Sequence, residues 1–168
     1  AEHSNSGTSI WNNVTVQDGA TSTVEEGAKE TINDAYVVAG DRTNKGEVDA
    51  TGVENTQVTG TLDNQGTSNY DDMTVASGGT SNNSGFEKGD ILTIADGGQH
   101  TNSGTSIWNN VSIQTGATST VEVGGKETIN GTYDIAGDRI NKGEVDATGV
   151  ANTQVSGTLD NQGTSNYD

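Results

Sequence analysis

Asn44-Lys45-Gly46, Asn64-Gln65-Gly66 and Asn83-Ser84-Gly85 repeat one short mark: asparagine, any residue, glycine. The mark also stands at Asn5-Ser6-Gly7, Asn102-Ser103-Gly104, Asn141-Lys142-Gly143 and Asn161-Gln162-Gly163. Glutamate takes the asparagine place in Glu25-Glu26-Gly27 and Glu122-Val123-Gly124. Read this way, the nine glycines recur every 19 or 20 residues. A fixed period of this length marks a repeat architecture, in which each unit buries its apolar side chains only by stacking on the next.

A longer period lies above the short one. Residues 3–71 match 100–168 without a gap, 97 residues apart, and Asn5–Val14 is identical to Asn102–Val111. Five short units make one super-repeat. The chain, 1–168, therefore reads as a single repeat region of nearly nine units, with a first super-repeat over 3–99 and a partial second over 100–168.

Each unit divides into three extended pieces. A polar piece follows the glycine, as in Thr8–Trp11 and Thr67–Tyr70. A more apolar piece alternates in and out, with the inward pairs Val14/Val16, Tyr36/Val38, Met73/Val75, Leu92/Ile94, Val111/Ile113 and Tyr133/Ile135. Period two in β-branched residues marks a strand with one buried face. A glycine-bearing turn follows, and a third piece leads back to the next mark. Three strands of about five residues fill the period at about 3.3 Å per residue. The expected fold is all-β, a three-sided parallel β-solenoid. Frequent glycines and the lack of a 3.6-residue period exclude helices. An antiparallel sandwich is the competing fold.

Stacking explains the asparagines. Asn5, Asn44, Asn64, Asn83, Asn102, Asn141 and Asn161 fall at one place in successive coils, where amides can bond along the axis as in cross-β ladders. Their role is read as structural. Glycine beside each asparagine is read as supplying a positive-φ corner.

Composition narrows the function. Only 28% of the chain is hydrophobic, and the net charge is −17. Seven Lys plus Arg make nucleic acid and anionic membranes poor partners. No apolar run reaches the ~18 residues of a membrane-spanning helix, so no membrane insertion of this segment is expected. The absence of cysteine rules out disulfides and thiolate metal sites. No catalytic residues and no cofactor site are assigned, and the chain is read as no enzyme: Asp71-Asp72 and Glu25-Glu26 are adjacent in sequence, so they point to opposite faces of a strand. They read as solvated acids. Weak calcium binding is conceivable at Asp41, Asp90, Asp96 and Asp138. His3 and His100 read as surface residues. Trp11, Tyr70, Trp108 and Tyr167 either fill coil interiors or stand outside, where they offer stacking contacts to host or cell-surface glycans.

Met73–Gly79 and Ile91–Gly98 share apolar-Thr-apolar, two residues, Gly-Gly. They resemble the repeats of AIDA-like self-associating autotransporter passengers of Gram-negative bacteria. Gly60–Gly66 is similar to filamentous-haemagglutinin-type adhesin repeats. The resemblance implies an extended β-helical stalk, an extracellular, cell-surface or biofilm-matrix location, and a function in adhesion and self-association. Two alternatives are a subunit of an extracellular fibre growing by end-to-end coil stacking, and an ice-binding solenoid.

Overall fold

A computed structural model describes residues 1–167, with every strand pair in it parallel. One sheet stacks nine strands of four residues: Glu2–Asn5, Thr21–Val24, Asp41–Asn44, Thr61–Asn64, Thr80–Asn83, Gln99–Asn102, Thr118–Val121, Asp138–Asn141 and Thr158–Asn161. The other sheet is built from longer strands. They are Thr8–Val16, Lys29–Val38, Glu47–Val58, Thr67–Val75, Phe86–Ile94, Thr105–Ile113, Lys126–Ile135, then Glu144–Ala147 with Thr153–Val155, and Thr164–Tyr167. Each strand pairs with its equivalents one coil before and after. The molecule is a β-solenoid of eight full turns between the first and ninth short strands, about 40 Å long at ~4.8 Å per coil. Parallel pairing throughout excludes the sandwich.

The polar and apolar pieces are one pleated strand with a bend in it. Thr67–Val75 buries Ser68 and Tyr70, then Met73 and Val75, and turns its back at Asp71-Asp72. Two consecutive outward residues break the alternation, so the chain changes direction while the ladder continues. This mid-strand corner absorbs length differences between coils. Tyr70 and Met73 are three residues apart, Ile32 and Tyr36 four, and Ala50 and Thr56 six, with Val53 also buried. Where the inward residue before the corner is only Ala50, the longer corner folds Val53 in to fill the space.

The corners at the two ends of the short strands come in two kinds. In the longer kind, an apolar residue is followed by two residues, a positive-φ glycine and a small residue, as in Val16-Gln17-Asp18-Gly19-Ala20. Ala20 N–H donates to Gln17 O at 2.9 Å, and Gly19 has φ 71°. Positive φ at the third of four residues is the requirement of a type II turn. The shorter kind is the Asn-x-Gly corner and its counterpart Ala39-Gly40.

Two corrections follow. Positive φ occurs at Gly19, Gly27, Gly78, Gly97, Gly116 and Gly124, and at no glycine of an Asn-x-Gly mark. From Gly46 onward those glycines are needed for closeness, while a Cβ on Gly7 would meet nothing. A Cβ on Gly66 would overlap the Gly46 carbonyl oxygen one coil below. The second correction concerns register. Asn5 pairs with Val24 and Val24 with Asn44; Asn102 pairs with Val121 and Val121 with Asn141. Valine replaces asparagine there, and the glutamates that follow belong to the longer corner. That corner closes on its own backbone bond, Ala28 N–H to Glu25 O at 3.0 Å. The short corner uses the asparagine side chain instead, Gly46 N–H to Asn44 Oδ1 at 3.1 Å.

Candidate functional site

The rod has an ordered polar interior and an uneven outer charge. Inside, Asn44 Nδ2 donates to Asn64 Oδ1 at 2.9 Å, Asn64 to Asn83 at 2.9 Å and Asn83 to Asn102 at 3.0 Å. Each of these three also donates around the corner to the first carbonyl of the next coil's long strand: Thr67 O, Phe86 O and Thr105 O. Asn141 donates to Asn161 at 2.9 Å. Asn5 stands apart, separated from Asn44 by Val24, and its amide donates to Ser9 Oγ and Lys29 O. The asparagines thus form two runs, interrupted at Val24 and Val121.

A second polar column lies beside it, two residues earlier on the same short strands. Arg42, 1% exposed, reaches into the coil below to Glu30 and Ser22, with its guanidinium 5.8 Å from the centre of the Tyr36 ring. Arg139 repeats this with Glu127, Ser119 and Tyr133. His100 Nε2 lies 2.8 Å from Glu87 Oε1, which also accepts from Ser106 Oγ, and Ser106 Oγ accepts from Trp108 Nε1. His100, read from sequence as a surface residue, is therefore buried, and so are Glu30, Glu87 and Glu127. Their signal was legible: Glu30, Glu87 and Glu127 occupy inward places of the strand alternation, each one coil from an inward Arg or His. Buried ion pairs contribute little net stability, but breaking one by removing a partner costs several kcal/mol.

The aromatic residues offered for glycan contact need correction. Trp108 is 0% and Tyr70 4% exposed; both are core, their ring centres 6.0 Å apart and planes 9° apart. Gly89 lies in the coil between them, and a Cβ on it would overlap the Trp108 ring. Trp11 and Tyr167 sit in the first and last coils. Trp11 is 43% exposed, and Tyr167 packs toward Tyr133 at 6.3 Å. The pattern depends on neighbours above and below, so the four equivalent positions do not form one outward surface.

Outside, the five lysines lie along one edge, made by the Asn-x-Gly corners and the first halves of the long strands. Lys29–Glu47, Lys45–Glu25, Lys126–Glu144 and Lys142–Glu122 pair between adjacent coils at 2.9–3.9 Å. The described acids of the other faces have no lysine among them. Asp71 and Asp72, expected on opposite faces, both turn outward because the strand bends between them, and with Asp90 they bring carboxylate oxygens within 4.8 Å of one another. Partial burial raises the Asp72 carboxyl above its usual range, the neighbouring charges of Asp71, Asp90 and Glu54 add to this, and the Ile91 N–H it accepts opposes it. Of the other acids named for cations, Asp41, Asp96 and Asp138 stand on separate coils outside this group. Threonine ranks sit on the short-strand face, at Thr21/Thr23 and Thr118/Thr120, and are broken by Asp41, Asp63, Asp138 and Asp160. Compared with known protein families, curated proteins and solved structures, the chain matches none.

Proposed function

We propose that this chain is a non-enzymatic structural and adhesive segment of a secreted bacterial surface or biofilm-matrix protein, and that its partner is a like rod. The lysine-bearing edge is the observation that carries this reading. With Glu30, Glu87 and Glu127 buried and paired inside, nearly all the remaining acidity faces solvent. Two such rods repel along their acidic faces. Along the lysine edge Lys29, Lys45, Lys126 and Lys142 each have a glutamate beside them and Lys88 adds a further cation, so two copies can approach there with little like-charge cost and exchange partners. At about 0.15 M salt the Debye length is ~8 Å, against ~30 Å at 0.01 M, so screening favours side-by-side contact. Sedimentation velocity across this salt range tests the reading. Association that grows with salt and is abolished by Lys29→Glu with Lys126→Glu is expected. A monomer at every salt and protein concentration would remove the proposal.

A further inference from the structure

Asn130-Gly131 is the one place in the chain where glycine directly follows asparagine. The pair lies at the mid-strand corner of Lys126–Ile135. Trp108 pairs with Ile129 and Asn110 with Thr132, so Asn130 and Gly131 together face Asn109 alone. Two residues opposite one make a bulge, where the ladder is locally disrupted. The next backbone N–H, that of Thr132, donates to the Asn110 side chain at 3.1 Å. Asn130 itself is exposed, and among the described residues no hydrogen bond holds its carboxamide. Gly149 of the next coil stands over it: a Cβ there would lie 3.2 Å from Asn130 Cα and 3.5 Å from its Oδ1. A second glycine thus keeps the space beside the carboxamide open.

Other asparagines of the rod supply the contrast. Asn83-Ser84 and Asn102-Ser103 also set a small residue after asparagine, but their amides are buried and bonded, Asn83 to Asn102 Oδ1 and Thr105 O, Asn102 to Lys126 O. Asn33, 97 residues before Asn130, holds the same corner in the first super-repeat. It is exposed, it sits at the same bulge, and Gly52 stands over it as Gly149 stands over Asn130. Only the next residue differs, Asp34 in place of glycine. A side chain at that place crowds the backbone nitrogen, and its negative charge opposes loss of the N–H proton.

We infer that Asn130 is a site of spontaneous covalent modification, in which the backbone nitrogen of Gly131 attacks the Asn130 carboxamide. The nitrogen bonds to Asn130 Cγ, the Cγ–Nδ2 bond breaks, and Nδ2 leaves as ammonia with the proton that Gly131 gives up. Water then opens the resulting succinimide. Attack at Cγ leaves aspartate. Attack at the Asn130 backbone carbonyl leaves isoaspartate, and the main chain then runs through Cβ and Cγ and is one atom longer. Glycine permits the closure because it has no Cβ to restrict its backbone. The corner accommodates the longer chain: Tyr70 and Met73 stand three residues apart across it, Ile129 and Tyr133 four, with the ladder intact on both sides. Either product adds a negative charge outside the lysine edge, so this inference stands apart from the lateral contact proposed above.

Incubation of the folded protein at mildly alkaline pH, followed by tryptic mapping, tests it. Cleavage at Lys and Arg releases the equivalent peptides Glu127–Arg139 and Glu30–Arg42. The readouts are the mass gained when OH replaces NH2, and methyl transfer to isoaspartate by an isoaspartyl methyltransferase. Modification of Glu127–Arg139 is expected to grow with time, several-fold faster than that of Glu30–Arg42. Gly131→Asp, which copies the first super-repeat, is expected to slow Asn130 to the rate of Asn33, and Asp34→Gly to raise Asn33 to the rate of Asn130. The modified protein is expected to keep its β-sheet circular dichroism. An Asn130 that stays intact in the folded rod while the urea-unfolded chain modifies it would overturn the inference. Equal rates at Asn33 and Asn130 would overturn the role given to Gly131, and loss of the β-sheet signal as modification accumulates would overturn the tolerance of the corner.

Discussion

Replacing Asn64 by alanine cuts the longer asparagine run at its centre. Asn64 Oδ1 accepts from Asn44 Nδ2 and Ser68 Oγ, both at 2.9 Å, and Asn64 Nδ2 donates to Asn83 Oδ1 at 2.9 Å and Phe86 O at 2.8 Å. Asn44 keeps bonds to Thr67 O and Ser68 Oγ after the change, so little is lost below. Above, Asn83 Oδ1 and Phe86 O lose the donor that Asn64 supplied in a site water does not reach. A stranded buried acceptor costs about 1–3 kcal/mol, so two give about 2–4 kcal/mol after partial relaxation. For a chain of this size each kcal/mol moves Tm by about 2–4 °C, which predicts a fall of roughly 5–12 °C. Asn82→Ala is the control: Asn82 neighbours Asn83 but points outward on the short strand, and such surface changes stay within about 0.5 kcal/mol. Thermal and urea melts of the two variants decide the matter. Equal, small effects from both would show that the amide column does not hold the coils together.

Other consequences follow from the same geometry. Gly66→Ala in the short corner should destabilise more than Gly19→Ser in the longer kind, because its Cβ meets the Gly46 backbone whereas Gly19 opens to empty space and resists only through its φ of 71°; urea midpoints compare them. Asp72→Asn should stabilise by about 0.5 kcal/mol at pH 7, the scale of partly exposed charge pairs. The folded Asp72 pKa is raised, so its ionised form penalises the fold above that value; the gain should fade as pH falls through it and vanish once the unfolded carboxyl is also protonated. Burial raises the Tyr70 and Tyr133 phenols well above 10.0 and raises Tyr36 too. Unfolded phenols ionise near pH 10, so stability present below that pH should be lost above it. Ultraviolet titration should show these tyrosines ionising together with unfolding; free titration in the folded rod would contradict their burial.

The rod was legible because stacking writes itself into sequence as a period. Val14/Val16 and Leu92/Ile94 alternate, and the Asn-x-Gly marks return at coil length. The finer register was less legible, since a corner can lengthen by two residues and borrow a neighbouring glycine. Glu25 and Gly27 were aligned with the marks on that account, whereas backbone pairing aligns Val24 and Ala28 with them. The asparagine column was read, but the Arg–Glu and His–Glu pairs of the interior were missed for a related reason. Arg42, Glu30 and His100 are polar side chains that composition places outside, and only their inward parity, with a complementary partner one coil away, places them inside. The Tyr70–Trp108 stack spans two coils and depends on the absence of a side chain at Gly89. A single coil, read alone, gives no sign of it.

Everything rests on equivalent side chains lying directly over one another inside a narrow β rod. Side-chain amide contacts measured by nuclear Overhauser effects test this at its source. The amide protons of Asn64 should show cross-peaks to Asn44 and Asn83, those of Asn83 to Asn102, and all should exchange slowly with solvent. Fast-exchanging amides with no contacts between these residues would contradict the stacked coils and the roles built on them.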